Sequence, residues 1–318
     1  MNCLCCGKPL QSNENQSGWH KSCIKRFFGT TVIPEIEIDE KALQLLARES
    51  IHRGYTVPGV QKKLSLHLFS EEKAKPRLTL VNYPTGYILK PQVSDFAALP
   101  EAEHLVMCMA DAAGISTVPH ALIRGADNLA YITKRVDRCF ENDVVKMLAM
   151  EDFCQLDLRL TQDKYRGSYE RCAKIIEKYS SRKGLDKTEL YMRLIFSYIV
   201  GNSDMHLKNF SLIETEEASG VYILSPAYDL LPVNAIMPED KEQFALAMNG
   251  KKANIRRKDF LVFADACGIS RNSAEKMIRK LVSMKETFRS MCLESLMPEF
   301  LKERLSALIE ERTQILEG

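Results

Sequence analysis

The sequence lacks the features that would place it in a membrane or mark it as a general nucleic-acid binder. None of its apolar runs approaches the roughly 18 residues that a membrane-spanning helix needs. The N-terminus has no apolar signal-peptide core, so we expect a cytoplasmic protein without membrane contacts. The formal net charge is only +2, which gives no overall attraction for nucleic acid. The sequence also shows no internal repeat and no low-complexity tract.

Length and composition indicate a large globular chain. The sequence has 318 residues, of which 45% are apolar and 27% are charged, and this balance is that of soluble proteins. A chain of this length can bury a large core and is expected to form two lobes. Its ten cysteines, without a secretion signal, favour reduced thiols or metal ligation over disulfides.

A short segment at the start of the chain has metal-ligand spacing. Cys3 and Cys6 form one close pair, His20 and Cys23 form another, and thirteen residues separate the pairs. This pattern predicts a structural Zn²⁺ site, because four Cys and His ligands leave no open coordination position. Cys5 could replace a neighbour in the ligand set. The alternative is a Cys-rich disordered start, and the function expected of a folded module is docking.

The sequence GNSDMHLKNFS, residues 201–211, is the densest polar cluster of the chain. It follows an apolar stretch at 190–200 that predicts a buried helix ending at Gly201. Phosphoryl transfer needs an Asp to orient the nucleophile, a cation for the phosphate charge and an Asn for magnesium. Asp204, Lys208 and Asn209 supply these three groups. The alternative is a capped, solvated turn.

A second acid lies about 20 residues further on. A short predicted strand at 221–224 is followed by the sequence SPAYDLLP, in which Asp229 is flanked by apolar residues. A buried carboxylate without a partner is costly, so a metal shared with Asn209 is a natural partner. A turn aspartate that caps the following residues is the alternative.

The first half of the chain is rich in predicted strands. They cover the region from Leu64 onward and residues 77–82, 86–90, 121–124 and 129–135. Lys90 ends an apolar strand, and Glu101 or Glu103 of the following helix could pair with it, unless those acids face solvent at the helix start. A Gly/Pro loop with Lys62 and Lys63 precedes Leu64 and suits either a phosphate-binding loop or an ordinary hairpin turn. Residues 31–38 are predicted as a linker, and residues 39–53, 151–156 and 273–289 as helices.

Taken in order, these strings resemble the HipA family of bacterial toxin Ser/Thr kinases. The sequence has neither the His-Arg-Asp nor the Asp-Phe-Gly string of ordinary protein kinases. The strings that carry the resemblance are TVPGVQKKL (56–64), YILKP (87–91), KRVDR (134–138), EDxxQ (151–155), NxDxHxKNFS (202–211) and PAYD (226–229). The similarity runs from about residue 50 to the end of the chain.

The resemblance implies roles for individual residues. Asp204 matches the catalytic Asp, with Lys208 beside it, and Asn209 and Asp229 match the Mg²⁺ ligands. Thr56 falls where the family carries an autophosphorylated Ser. The residues that it assigns to ATP are Pro58, Gly59, Val60, Gln61, Lys62, Lys63, Lys90, Glu103, Lys134, Arg135, Val136, His206, Asn209, Tyr228 and Asp229.

The resemblance also implies a fold and partners. The expected fold class is α+β, two-lobed and protein-kinase-like, with a zinc-binding module at 1–29, an N-lobe at 30–138 and a helical C-lobe at 139–318. The chain is similar to the short HipT-like branch, which lacks the N-terminal subdomain of full-length HipA. Family kinases phosphorylate translation components, notably aminoacyl-tRNA synthetases. Their partner is a helix-turn-helix antitoxin, and they contact DNA only indirectly, through that antitoxin. In the short branch a small HipS-like protein is a second partner.

Two other functions remain open from the sequence. The first is a nucleotide-binding adaptor without activity that docks an antitoxin on DNA. The intact set of Lys90, Asp204, Asn209 and Asp229 argues against it. The second is a kinase that acts on lipid or sugar hydroxyls. Transfer of label from ATP to a protein, to a small molecule or to neither distinguishes the three.

Overall fold

The computed structural model describes residues 1–11, 14, 16–37, 63–69, 75–79, 85–125, 128–141 and 144–318. The chain forms two compact units. The first comprises Met1–His104 and Val118–Val136, and the second comprises Leu105–Thr117 and Asp137–Gly318. The predicted helix at 39–53 lies outside the described residues.

A six-stranded sheet forms the body of the first unit. Its strands are β1 (Glu35–Glu37), β2 (Leu64–Phe69), β3 (Arg77–Thr79), β4 (Tyr87–Pro91), β5 (His120–Arg124) and β6 (Leu129–Lys134). They lie in the order β1-β3-β2-β4-β6-β5, and all neighbours are antiparallel except β1 and β3. Strand β4, which carries Lys90, is therefore held between β2 and β6.

The prediction of a linker at residues 31–38 is wrong in part. Glu35, Ile36 and Glu37 form the edge strand β1, in which Ile36 is opposite Leu78 of β3. The pairing partner lies about 40 residues further along the chain, so the local sequence could not reveal it.

The N-terminal segment packs onto this sheet as part of the first unit. Its helix α1 (Lys21–Phe28) ends at Gly29, which has a φ of 76°. The backbone N–H of Leu122 in β5 donates to the carbonyl of Leu4 at 2.7 Å. The Tyr87 hydroxyl of β4 donates to the carbonyl of Phe27 at 3.2 Å, and the Phe27 and Phe28 rings lie 5.9 and 5.6 Å from the Tyr87 ring.

Helices dominate the second unit. Helix α2 (Leu99–Ala113) begins in the first unit and continues into the second. The later helices are α3 (Phe153–Leu156), α4 (Tyr169–Tyr179), α5 (Lys183–Val200), α6 (Val233–Ile236), α7 (Arg257–Ala266), α8 (Arg271–Val282), α9 (Lys285–Glu294) and α10 (Glu299–Glu317). Among the described helices, none combines the length and the apolarity needed to span a bilayer.

The second unit also contains two small antiparallel sheets. One is the hairpin of β7 (Arg138–Glu141) and β8 (Val144–Met147). The other has β10 (Ser211–Glu214) between β9 (Met150–Asp152) and β11 (Tyr222–Leu224). Strand β10 follows the polar segment at 201–209, so this sheet fixes the end of that segment.

Two helix predictions in the second unit need correction. Residues 151–156 were expected to be helical, but β9 runs to Asp152 and helix α3 begins only at Phe153, because Met150 to Asp152 pair with β10. The helix predicted at 273–289 is two helices, α8 and α9. The chain turns at Ser283 and Met284, and Phe288 of α9 then packs edge-on against Phe196 of α5 at 5.8 Å.

Helix α5 is the base on which the polar segment stands. Residues 190–200 are all buried, as the apolar sequence predicts. Gly201 ends the helix with a φ of 70°, and a Cβ there would overlap with Leu308 Cδ2. The left-handed backbone favours glycine at this position, and the Leu308 side chain would have to shift to admit any Cβ.

Candidate active site and N-terminal Cys/His cluster

The polar segment that follows α5 is held by backbone contacts from several elements. The Tyr169 hydroxyl of α4 donates to the carbonyl of Met205 at 3.0 Å. The N–H of Leu207 donates to the carbonyl of Lys164 at 3.1 Å, and the N–H of Asn234 donates to the carbonyl of Gly201 at 2.9 Å. The segment is a loop with a fixed path, which suits it to present side chains for chemistry.

Asp204 projects its carboxylate toward a tyrosine and a histidine. The Tyr165 hydroxyl donates to Oδ1 at 2.9 Å, and the buried His206 has its Nε2 3.9 Å from Oδ2. Burial, and then the negative charges of Asp204 and Asp229, raise the pKa of Tyr165. The hydroxyl is therefore protonated at neutral pH and acts as the donor. No local pattern in the sequence predicts a role for Tyr165.

The ammonium group of Lys208 forms an ion pair with Asp152, 56 residues earlier in the chain. Asp152 also caps α3: it accepts from the N–H of Gln155 at 2.9 Å, while its own N–H donates to the Gln155 side chain at 3.0 Å. Residues 151–155 are one of the strings of the resemblance. Their structural role is this reciprocal cap, which aims the second Asp152 oxygen at Lys208.

Asn209 and Asp229 lie side by side in the second unit. The Asn209 amide Nδ2 donates to the backbone carbonyl of Asp229 at 3.4 Å, and the Oδ1 of the same side chain is an acceptor. Asp229 has a left-handed backbone with a φ of 62°. An amide oxygen and a carboxylate are hard donors of the kind that Mg²⁺ prefers, so these two residues fit the expected ion.

Tyr228 and Arg193 make hydrogen bonds to the chain segments that carry this pair. The hydroxyl of the half-buried Tyr228 lies 2.6 Å from Ser211 Oγ and donates to the carbonyl of Lys208 at 3.1 Å, so it ties residue 208 to residue 228. The guanidinium of Arg193, on α5, donates to the carbonyl of Ser225 at 2.7 Å and pairs with Glu189 at 3.0 Å. Tyr228 was assigned to ATP from the resemblance, whereas Arg193 was missed, because an Arg within an apolar helix gives no local signal of its target.

In the first unit, Lys90 pairs with Glu103. The Lys90 Nζ to Glu103 Oε1 distance is 2.5 Å, and the two side chains are 4% and 0% exposed. Lys90 Nζ also lies 5.3 Å from the centre of the Tyr131 ring. The sequence had left Glu101 and Glu103 open, and the structure selects Glu103, while burial raises the pKa of Glu101.

The remaining residues assigned to ATP are only partly within the described chain. Lys134 ends β6 opposite Tyr87, and the N–H of Arg135 donates to the carbonyl of Gly86 at 2.9 Å, with Val136 next in the chain. Lys63 is exposed immediately before β2. Thr56 and the other loop residues, Pro58, Gly59, Val60, Gln61 and Lys62, lie outside the described residues.

The four predicted zinc ligands converge at the N-terminus. One ligand atom from each of Cys3, Cys6, His20 and Cys23 lies within 4.8 Å of the others, whereas Cys5 is not in this group. Cys6 Sγ and Cys23 Sγ are 3.4 and 3.8 Å from His20 Nδ1. On the other side of the ring, Nε2 lies 3.0 Å from the carbonyl of Pro9, an outer contact that orients metal-bound histidines. Three thiols and one imidazole at these separations fit tetrahedral Zn²⁺.

Comparison with solved structures defines the class of fold. The chain is similar to HipA of Shewanella oneidensis MR-1, solved in complex with HipB and operator DNA, with a TM-score of 0.67, 21% identity, and coverage of 83% of this chain and 67% of that one. It is also similar to the Helicobacter pylori proinflammatory kinase CtkA, with a TM-score of 0.52, 17% identity, and coverage of 73% and 88%. The chain therefore has a HipA-like, kinase-like fold, as the sequence predicted.

The family follows from sequence matches. Residues 55–288 match the family described as HipA-like C-terminal domain, and the chain belongs to that family. A Haemophilus influenzae protein named "Putative kinase" is 26% identical over 92% of this chain and 90% of its own length. The Sinorhizobium fredii proteins named "Putative kinase Y4mE" and "Putative kinase Y4dM" are each 30% identical, over 71% and 80% of this chain but only 54% and 62% of their own lengths.

Proposed function

We propose that this protein is an ATP-dependent protein kinase that phosphorylates Ser or Thr hydroxyls and acts as the toxin of a toxin–antitoxin system. The observation that carries the proposal is the fixed group of Asp204, Asn209 and Asp229 in the second unit. A carboxylate that can accept the proton of the acceptor hydroxyl, and an Asn/Asp pair that can hold Mg²⁺, are the parts that phosphoryl transfer requires. The relatives named as kinases support the same chemistry.

The proposed reaction moves the γ-phosphoryl group of ATP to the acceptor. A new bond forms between the acceptor oxygen and phosphorus, the bond from phosphorus to the ADP oxygen breaks, and the hydroxyl proton passes to Asp204. We propose that Lys90, oriented by Glu103, neutralises phosphate charge, and that His206 and Tyr228 bind the nucleotide. When bound by Asn209 and Asp229, Mg²⁺ would supply further neutralisation of the phosphate oxygens.

Partners are proposed from the family. The Shewanella oneidensis relative is solved with the HipB antitoxin and operator DNA. We propose a helix-turn-helix antitoxin as the partner of this chain, with DNA contacted through that antitoxin, and a small HipS-like protein as a second partner. An aminoacyl-tRNA synthetase is the proposed class of substrate.

The test is transfer of label from [γ-³²P]ATP by purified protein added to a cell lysate. We expect one labelled protein band, whose phosphorylated residue is Ser or Thr, and loss of that band with Asp204→Ala. Asp265→Ala, which removes an exposed acid from α7, is the matched control and should transfer label normally. A labelled small molecule would identify a different kinase class, and the absence of any label would favour the nucleotide-binding adaptor.

Autophosphorylation at Thr56 is a separate proposal that rests on the resemblance. A phosphate adds about −1.5 to −2 charge at neutral pH, which the neighbouring Lys62 and Lys63 could bind. Mass spectrometry of wild type and of Asp204→Ala should find phosphate on Thr56 in the wild type alone. Its presence in both proteins, or in neither, would exclude self-modification at this residue.

We also propose that Cys3, Cys6, His20 and Cys23 hold one structural Zn²⁺. The closed ligand set and the outer contact from Pro9 support a structural ion over a catalytic one. Elemental analysis of protein purified without a metal-binding tag should give one zinc per chain. A zinc content near zero in fully active protein would contradict the proposal.

A further inference from the structure

Tyr165 makes a contact that the proposed function does not yet use. Its hydroxyl is 2.9 Å from Asp204 Oδ1, although the two residues are 39 positions apart. Its ring stands edge-on to the His206 ring at 5.1 Å, with an angle of 79° between the planes. One side chain therefore touches both the proposed catalytic carboxylate and a residue of the proposed nucleotide site.

The residue before Tyr165 is tied to the same polar segment. The carbonyl of Lys164 accepts a hydrogen bond from the N–H of Leu207 at 3.1 Å. The backbone next to Tyr165 is therefore bonded to the backbone next to His206. The Lys164 Nζ lies 4.8 Å from the centre of the Tyr165 ring. The ring is held by His206 and Lys164 while the hydroxyl end faces the acid, and 38% of the residue stays exposed.

The direction of the hydrogen bond follows from the electrostatics. Burial and the charges of Asp204 and Asp229 raise the pKa of the Tyr165 hydroxyl, so the phenol keeps its proton. A donor to a carboxylate stabilises its ionised form, which is the form that can accept a proton from an acceptor hydroxyl. By occupying one side of Oδ1, the phenol also restricts rotation of the carboxylate about its last bond.

We infer that Tyr165 is a positioning residue for phosphoryl transfer, which orients Asp204 through Oδ1 so that the carboxylate meets the acceptor hydroxyl in a fixed geometry. The inference deepens the proposed kinase function and rests on it. It predicts that the Tyr165 hydroxyl affects the chemical step and leaves ATP binding unchanged, because its hydrogen bond is to the proton acceptor.

Tyr165→Phe tests this inference, because it removes the hydroxyl and keeps the ring against His206. We expect kcat to fall about tenfold, the loss typical of one hydrogen bond to a charged group, with KM for ATP changed less than about twofold. Tyr179→Phe is the matched control. Tyr179 is 37% exposed and Lys178 Nζ lies 4.6 Å from its ring centre, so it shares the exposure and the stacked lysine of Tyr165.

A double-mutant cycle shows whether Tyr165 acts through Asp204. In an Asp204→Asn background, Tyr165→Phe should change the residual single-turnover rate by less than about twofold, because the carboxylate that the hydroxyl orients is gone. An equal loss in both backgrounds would mean a merely structural role and would overturn the inference, as would unchanged kcat in Tyr165→Phe or a comparable loss in Tyr179→Phe.

A measurement that does not depend on catalysis can test the Tyr165–Asp204 contact separately from the kinase proposal. In protein labelled with ¹³C at tyrosine Cζ, Asp204→Asn should shift the Tyr165 resonance and leave that of Tyr179 in place. If wild type transfers no phosphate to any acceptor, the kinase proposal falls and the catalytic role of Tyr165 with it, even where this shift is seen. If wild type is active and the resonance does not shift, the kinase proposal stands and the Tyr165 contact is refuted.

Discussion

The Cys/His cluster of the first unit and the acidic site of the second unit hold their polar groups in different ways. In the cluster, four ligand atoms face one another within 4.8 Å. In the acidic site, each group is fixed by a different neighbour: Asp204 by Tyr165, Lys208 by Asp152, and Asn209 by the carbonyl of Asp229. A structural ion needs a closed ligand set, whereas chemistry needs side chains that are each held by the scaffold and can face a substrate.

The largest expected effect comes from removing the charge of Asp229. Asp229→Ala should abolish phosphoryl transfer, but alanine is also strained at a φ of 62°, so Asp229→Asn is the sharper variant, because asparagine tolerates this backbone. We expect a loss of about 10³-fold or more in kcat/KM from Asp229→Asn, with a melting temperature close to that of wild type. Isothermal titration should also show weaker binding of Mg-ATP. Full activity in Asp229→Asn would remove this residue from the proposed metal site.

Removing a ligand from the Cys/His cluster should lower the stability of the protein and should affect kinase activity only indirectly. Cys23→Ser should lower the zinc content to near zero and destabilise the first unit by about 2–3 kcal/mol, which corresponds to about 5–10 °C in melting temperature. Elemental analysis and calorimetry measure the two effects. Cys5→Ala changes a buried thiol of the same segment that is outside the ligand group, and it should keep its zinc. Equal zinc loss in both variants would contradict the assigned ligand set.

Substitutions in the buried Lys90–Glu103 ion pair of the first unit can distinguish an effect on stability from an effect on activity. Lys90→Met removes the ammonium group from its ion pair with the buried Glu103 carboxylate, and we expect a cost of about 3–5 kcal/mol in the free energy of unfolding. Adding Glu103→Leu should recover much of this stability in urea unfolding, because the pair is then replaced by apolar side chains. The double variant should still fail to transfer phosphate. Recovery of activity along with stability would show that Lys90 has no role beyond the fold.

The smallest expected effect is at Lys208, whose side chain is 33% exposed in its pair with Asp152. Lys208→Ala should cost about 1 kcal/mol in stability, as partly exposed ion pairs do, and about tenfold in kcat. Asp152→Asn keeps the helix cap and removes the charge, so it should reproduce the activity loss. If the two losses add in the double variant, Lys208 does not act through this pair.

Many of the candidate site residues could be found from the sequence, because they are close together in the chain. The spacing of Cys3, Cys6, His20 and Cys23 is local, and so is that of Asp204, Lys208 and Asn209. The end of α5 at Gly201 and the strands around Lys90 also follow from local pattern. The roles of individual site residues toward ATP, Mg²⁺ and Zn²⁺ remain predictions that the experiments above test.

The sequence by itself determined which polar groups occur together and which helices and strands present them. Only the tertiary structure decided the partners: Tyr165 for Asp204, Asp152 for Lys208, Glu103 rather than Glu101 for Lys90, and the β5 residue Leu122 for Leu4. These pairs lie from 13 to more than 100 residues apart. Spacing along one helix or strand predicts which side chains share a face, but the contact between two elements depends on how the whole core packs.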